Sequence, residues 1–374
     1  MRIGIVGCGF VSALYLRTLQ LRENLEIVGV TDLNRQRAER FAKHAGCRVY
    51  DDTEHLFNSS DAEIIVNLTN PGAHYEVNRA ALLKGKHVYC EKPLATKFSE
   101  AKELVELSHD VGRQLSGAPC NVLSEAAQSV WREIRRKSCG TPRLVYAELD
   151  DGMVPLAPYQ KWENEFGVPW PAKDEFEIGC TLEHAGYYLT WLAAFFGPAE
   201  SVTRFGGTAI VDKLDTEKLD RIAPDFTVAC IRFRSGTIAR LTCSIVAPHD
   251  HRLRIIGDEG VISVPDCWDY RSRASIRKWM KIRRKLLLSP VPIPLRLPPP
   301  VSKLSRFGAA TMDFARGVEE LADAIRQDRP CRLSSEFCLH TNELALAIHN
   351  GETSPGCYEV ETVFDPMEPM PWAW

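Results

Sequence analysis

Gly7-Cys8-Gly9-Phe10-Val11-Ser12 follows the short strand-like run Arg2 to Val6 and opens a helical pattern. In that setting Gly7 permits a tight turn and Gly9 lets the backbone approach a pyrophosphate. Phe10 and Val11 complete the loop, and small Ser12 stands where helix meets strand. Asp32 ends the next strand-like run, 25 residues after Gly7. There it can accept hydrogen bonds from the adenosine ribose hydroxyls and repel a 2′-phosphate, which favours NAD over NADP. Arg35 close by leaves NADP possible. A bland reading also fits these residues, with two glycines making a turn and Asp32 capping the following helix.

The elements that must position this loop are legible from periodicity. Strand-like runs at Arg2 to Gly7, Glu26 to Asp32, Arg48 to Tyr50, Ile64 to Thr69 and His87 to Cys90 alternate with helical stretches that each offer an apolar face. That alternation predicts a parallel sheet with crossover helices, a Rossmann domain over residues 1–120. From about residue 121 the pattern changes. Leu144 to Leu149, Phe226 to Phe233, Thr237 to Ile245 and Leu253 to Ile256 succeed one another with few helices between, and Arg234-Ser235-Gly236-Thr237 suits a hairpin turn. Residues 121–374 are therefore expected to form an α/β domain with a large, mostly antiparallel open sheet, one face free for a ligand or a second subunit. Helical patterns from Phe314 to Ile325 and Leu339 to Ile348 should pack back on one of the two domains.

With 374 residues, 45% of them hydrophobic and 25% charged, the composition is globular and too long for one ordinary core. No run approaches the ~20 apolar residues of a spanning helix, and no basic-then-apolar leader precedes Arg2, so a cytoplasmic location is expected. The twelve cysteines are scattered without a Cys-x-x-Cys pair. They read as reduced, mostly buried side chains, and no metal site is expected.

Val66-Asn67-Leu68-Thr69-Asn70-Pro71, His74, and then Gly85-Lys86-His87-Val88-Tyr89-Cys90-Glu91-Lys92-Pro93-Leu94-Ala95 resemble the glucose-fructose oxidoreductase, inositol dehydrogenase and rhizopine-catabolism (Gfo/Idh/MocA) family. Glu91-Lys92-Pro93 is the most specific part. The likeness extends through Val228 to Leu241, Ile256-Gly257-Asp258-Glu259-Gly260 and the closing helices. It implies a nicotinamide cofactor facing a sugar, cyclitol or nucleotide-linked sugar in a cleft between the domains. Thr69, Asn70, Pro71 and His74 match the loop lying along the cofactor, Glu91 the acid beside the nicotinamide ribose, and Lys92 the lysine that hydrogen-bonds the reacting hydroxyl. The family's Asp-x-x-x-His stands here as Glu183-His184-Ala185-Gly186-Tyr187, with Glu for Asp and Tyr for His. Asn121 matches a substrate-domain position, although the arginine often found two residues later is Leu123.

Oxidising an alcohol needs a base for the hydroxyl proton, worth roughly 10²- to 10⁴-fold. Tyr187, His184 and Lys92 are the candidates, with Glu183 on the same helical face as Tyr187. A neighbouring ammonium such as Lys92 favours phenolate, so Tyr187 with Lys92 is a workable pair, and His184 is the alternative. Trp162 and Trp170, among acidic residues, either stack on a sugar or simply pack their loop.

Residues 271–306 carry eleven Lys or Arg and no acid, which leaves −14 on the remainder of a chain whose net charge is −3. This basic, proline-rich insert of about 270–306 begins with Arg271 to Lys285, readable as a basic amphipathic helix for an anionic membrane surface or as a solvated or subunit-contacting loop. Pro290 to Pro300, with six prolines in eleven residues, should be an extended connector. No nucleic-acid module accompanies the charge. The expected activity is an NAD(P)-dependent dehydrogenase or ketoreductase acting on a carbohydrate-like substrate, in a homodimer or homotetramer assembled through the open sheet. Redox-neutral elimination, hydrolysis or epimerisation with retained NAD is the alternative, and a cofactor-binding regulator is a third.

Overall fold

The computed structural model describes residues 1–214, 218–302, 304 and 311–373. Six strands, β1 (Arg2–Val6), β2 (Glu26–Thr31), β3 (Arg48–Val49), β4 (Ile64–Asn67), β5 (His87–Cys90) and β6 (Leu115–Gly117), form a parallel sheet in the order β3-β2-β1-β4-β5-β6. The order reverses between β1 and β4, which opens a crevice at the carboxyl ends of those strands, where a doubly wound sheet binds its ligand. Helices α1 (Ser12–Leu19), α2 (Arg35–Ala45), α3 (Thr53–Ser59), α4 (His74–Leu83) and α5 (Phe98–Asp110) provide the crossovers. Ile3, Ile5, Ile64, Ile65 and Val66 are fully buried, because helices cover both faces of a parallel sheet. Local signals set the helix ends. The Asn34 side chain accepts from the Arg37 amide and Gly46 closes α2 at φ +69°, while Asp52 accepts from the His55 amide to start α3.

After α6 (Glu125–Arg135) the second sheet begins with β7 (Pro142–Met153), followed by the helical run α7 (Ala172–Ile178), α8 (Cys180–His184) and α9 (Gly186–Phe196). The strands β8 (Ala199–Gly207), β9 (Phe226–Phe233), β10 (Ile238–Ser244), β11 (Val246–Asp250), β12 (Leu253–Gly257), β13 (Gly260–Val264), β14 (Ser275–Ile282), β15 (Lys285–Leu288), β16 (Ile293–Pro294) and β17 (Gly356–Glu359) complete it. Every described strand pair in this sheet is antiparallel except β7 with β10. The expected hairpin joins β9 to β10, with Gly236 at φ +87° and its amide donating to the Phe233 carbonyl at 2.9 Å.

Helices α10 (Ala315–Arg326) and α11 (Ser335–His349) do pack back, and they bridge both sheets. The first lies on α1 and β5, and the second on α5, α9 and β8. A buried ion network fastens this return. Asp313 receives Arg22, Ser302 and Arg316 on one carboxylate oxygen, and Arg316 continues to Glu125 at 2.8 Å.

The basic insert departs from the helix reading. Arg271 to Lys285 contributes β14, a tight turn at Arg283 (φ +53°) and the start of β15. Ile276 pairs with Ile262 and Lys278 with Gly260 on β13, so side chains alternate between two faces: Ile276 is buried on one, and from the other the Trp279 indole N–H donates to the Gly257 carbonyl at 2.8 Å. The proline tract is extended, with Ile293 and Pro294 pairing along β14. At the end of the insert Lys303, Ser305 and Arg306 lie outside the described residues. Among the described residues, no helix is long and apolar enough to cross a membrane.

Candidate active site

At the β1/β4 crevice Gly7 has φ +95°, and a Cβ there would stand 2.7 Å from the Leu68 carbonyl, so only glycine fits between the two strand ends. A Cβ on Gly9, in contrast, would point into open space, which is the room a pyrophosphate needs. Asp32 is fixed by two backbone donors, the Cys8 amide at 2.6 Å and the Asn34 amide at 2.7 Å, and so braces the glycine loop from the end of β2. Arg35 turns away from this carboxylate to Glu39 (3.0 Å) and Asp51 (2.6 Å). The loop, the acid and the open space together fit an NAD(P) cofactor.

A cleft of about 410 Å³ runs from this loop to the second sheet, and Phe10, Val11, Thr69, Asn70, Pro71 and Glu91 form its first wall. The Asn70 amide donates to Asp174 at 2.5 Å across the cleft. Glu91 accepts the Tyr15 hydroxyl at 2.6 Å and the Lys92 amide at 3.1 Å, so its position is set from both sides. His74 is placed differently. It is fully buried behind the wall, with its ring nitrogens 2.6 Å from the Pro93 carbonyl and 2.9 Å from the Thr69 carbonyl, holding together the two loops that carry Asn70 and Lys92.

Lys92 lines the cleft next to Glu91 and faces Glu183, His184 and Tyr187 on the far wall. The Lys92 ammonium forms an ion pair with Glu183. Burial alone would lower the Lys92 ammonium, but Glu183, Glu175 and Glu91 outweigh it and hold the group above its ordinary range. Burial likewise opposes ionisation of Glu183, and Lys92 reverses that and keeps the carboxyl below its usual value. Glu175, on α7, is pushed well up by burial and then by the Glu183 charge, so as pH falls it takes a proton before Glu183 does.

Burial also raises the Tyr187 phenol, and the opposing pull of Lys92 is smaller. The expected phenolate is thus not the resting form at neutral pH: the ammonium is present, but desolvation wins. Burial lowers the His184 imidazole against the pull of Asp151, whose Oδ2 is 3.5 Å from its Nε2. The helical path expected through 183–187 continues from α8 into α9, with Ala185 right-handed helical between them and its amide donating to the Thr181 carbonyl at 2.9 Å. Gly186 sits there because a Cβ would press to 3.1 Å on Pro119.

Trp162 and Trp170 line the cleft and pack edge to face, with ring centroids 5.2 Å apart. Their loop also clasps the glycine turn. The Asn164 amide donates to the Phe10 carbonyl at 3.0 Å, and Glu165 pairs with Arg17 at 3.5 Å. Asn121 does not reach the cleft. It is fully buried and donates to the carbonyls of Tyr187 (3.0 Å) and Cys267 (3.2 Å), which makes it a support for Tyr187 rather than a substrate contact.

Sequence reasoning missed Asp151, Glu175, Trp268 and Asn164, all brought here by tertiary packing. Trp268 faces Tyr187, His184 and His251 at centroid distances of 5.3, 5.9 and 4.3 Å. The signal that could have been read is His249-Asp250-His251, two histidines at strand spacing.

Residues 1–118 match the oxidoreductase family with an NAD-binding Rossmann fold, GFO_IDH_MocA, and residues 128–263 match the GFO/IDH/MocA C-terminal domain. Inositol 2-dehydrogenase of Cereibacter sphaeroides is 30% identical over 279 residues, covering 71% of this chain and 74% of that protein. Levoglucosan dehydrogenase in complex with NADH superposes with a TM-score of 0.78 at 16% identity over 97% of this chain and 100% of the other. The Bordetella pertussis dehydrogenase in complex with NADH and UDP-GlcNAcA gives 0.72 at 18% identity over 98% of both chains. A Rossmann sheet with the glycine loop at its switch point, matched over both parts of the chain, makes this protein an NAD(P)-binding oxidoreductase of the Gfo/Idh/MocA family.

Proposed function

We propose that the chain interconverts a hydroxyl and a keto group on a sugar, cyclitol or nucleotide sugar, with Lys92 orienting the reacting oxygen and Tyr187 carrying its proton. The observation behind this reading is the Lys92 ammonium, fixed by Glu183 between the glycine loop and Tyr187 in one cleft. Bound NAD(P) would supply the hydride acceptor or donor. A charged Lys92 stabilises negative charge that develops on the substrate oxygen. Tyr187, protonated at rest, can give its proton to that oxygen in the reductive direction and regain it through His184, which is neutral at rest and backed by Asp151. Trp162 and Trp170 offer apolar faces to a sugar ring. With Arg35 occupied by Glu39 and Asp51, and Asp32 at the ribose position, NAD is the favoured cofactor.

The test is absorbance at 340 nm with NAD(H) and NADP(H) across sugars, cyclitols, nucleotide sugars and their keto forms. Turnover that falls at least ~10²-fold in both Lys92→Ala and Tyr187→Phe supports the assignment. Turnover retained in Lys92→Ala would refute it.

The hold of Asn164 on the glycine loop favours a second reading, redox-neutral catalysis with retained NAD. It predicts cofactor that copurifies with the wild type and is lost from Asn164→Ala. The uncovered face of the second sheet, where Tyr146 lies beneath Arg240 and Arg254, is the surface through which copies of the chain would assemble.

A further inference from the structure

Beside the Lys92 end of the cleft lies a group of three side chains, of which the chemistry above uses only Asp151, and that through His184. Asp151 near the end of β7, His249 in β11 and His251 just after it each offer one ligand-type atom, and these atoms lie within 4.8 Å of one another. Asp151 Oδ1 is 3.9 Å from His249 Nδ1 and 3.6 Å from His251 Nε2. Those separations are too long for hydrogen bonds. They lie close to the edge of a ligand tetrahedron around zinc, about 3.4 Å for bonds of about 2.1 Å.

His251 supplies an independent observation. It is 1% exposed, and among the described residues neither ring nitrogen has a hydrogen-bond partner. Leaving a buried ring nitrogen unsatisfied is costly unless something else occupies it, and Nε2 is the nitrogen turned to Asp151. Its Nδ1 faces Asp266 at 3.5 Å, and Asp266 is itself held by the Trp268 amide at 2.8 Å. A carboxylate behind one imidazole nitrogen with the other aimed at a shared point is the arrangement that fixes a metal-binding tautomer. The local fold explains how the residues meet. The pairing of β11 with β7 slips between Ala247 and Asp250, and this bulge brings His249 and His251 to Asp151.

We infer that Asp151, His249 and His251 form a site for a divalent cation of the zinc class, with its fourth position open to the cleft. Two imidazoles and one carboxylate suit Zn²⁺ or Co²⁺ better than Mg²⁺ or Ca²⁺, which take all-oxygen shells. The ring centroids of His249 and His251 are 4.0 Å apart, so both imidazoles stand on the same side of Asp151. Asp151 and Trp268 both line the cleft, so the open position faces the substrate end, with Asp151 Oδ2 turned to His184.

The experiment uses the full chain stripped with a chelator and titrated with Zn²⁺ by calorimetry, with Co²⁺ as a spectroscopic substitute. The expected result is one ion per chain, tetrahedral Co²⁺ absorbance, and affinity reduced at least 10-fold in both His249→Ala and His251→Ala. His249 is largely exposed, so His249→Ala is the variant that keeps the fold, verified by circular dichroism. Failure to bind either ion stoichiometrically, or equal binding by wild type and His249→Ala, would overturn the assignment. Neither readout depends on turnover, so the metal site and the dehydrogenase reading stand or fall separately.

Discussion

Lys92 and Glu183 meet in an ion pair that joins the segment after β5 to helix α8, linking the Rossmann sheet to the second sheet across the cleft. The Lys92 side chain is only 20% exposed and that of Glu183 only 8%. Removing the cation would leave a buried carboxylate without its partner. Lys92→Met is therefore expected to destabilise the fold by about 3 kcal/mol in denaturant melts, besides abolishing turnover. Lys92→Arg should recover the stability and little of the activity, because a guanidinium cannot take the position of the Nζ atom.

Glu175 gives a pH-dependent counterpart. Its folded carboxyl titrates well above the unfolded one, through burial and then the Glu183 charge. The folded state thus binds the proton more tightly, and stability declines as pH rises above about 4.5, where the unfolded carboxyl ionises. Glu175→Gln removes that dependence. Its melting temperature should exceed the wild-type value at pH 8, with the gap closing as pH falls toward 4.5. A gap independent of pH would contradict the assignment.

Three histidines, His340 and His349 buried and His87 half-buried, act in the opposite sense. Burial lowers His87, His340 and His349 to about 4 each. Two of them accept backbone N–H groups in the neutral form, His87 from Gln114 at 2.9 Å and His340 from Ala199 at 3.0 Å. The unfolded chain binds these protons below about pH 6.5, so stability present above that pH should be lost progressively as pH falls toward 4. Unfolding at pH 5 should take up protons, and His340→Gln should take up about one fewer.

Asp32 holds the Cys8 and Asn34 amides as well as the position for the ribose. Asp32→Ala should weaken NAD binding and narrow the preference over NADP, read as the ratio of kcat/KM values for the two cofactors. An unchanged ratio would mean that Asp32 does no more than brace the loop.

Asp313 is fully buried between Arg22 and Arg316. Asp313→Ala leaves two buried guanidinium groups short of their counter-charge and should cost about 3 to 5 kcal/mol in a urea melt. The loss should be seen equally by probes of both sheets, because this network fastens α10 to α1.

The Rossmann half was legible because its signals are local. Apolar runs buried on both faces, the Gly7/Gly9 turn and Asp32 at the end of β2 each depend on a few neighbouring residues, and the hairpin at Gly236 is of the same kind. Glu91-Lys92-Pro93 and Glu183 to Tyr187 were also readable as motifs. Their ionisation was not, since only the packed cleft sets whether desolvation or Lys92 controls the Tyr187 phenol. Arg271 to Lys285 misled for a related reason: its charges suit a helix face, but pairing with β13 and the buried side of Ile276 impose a strand. Asn121 and His74 carried the right residue types, and packing turned both inward to support the site rather than line it. Asp151, His249 and His251 came together only through a register slip between two strands about 100 residues apart in sequence, an event governed by tertiary contacts and invisible to local periodicity.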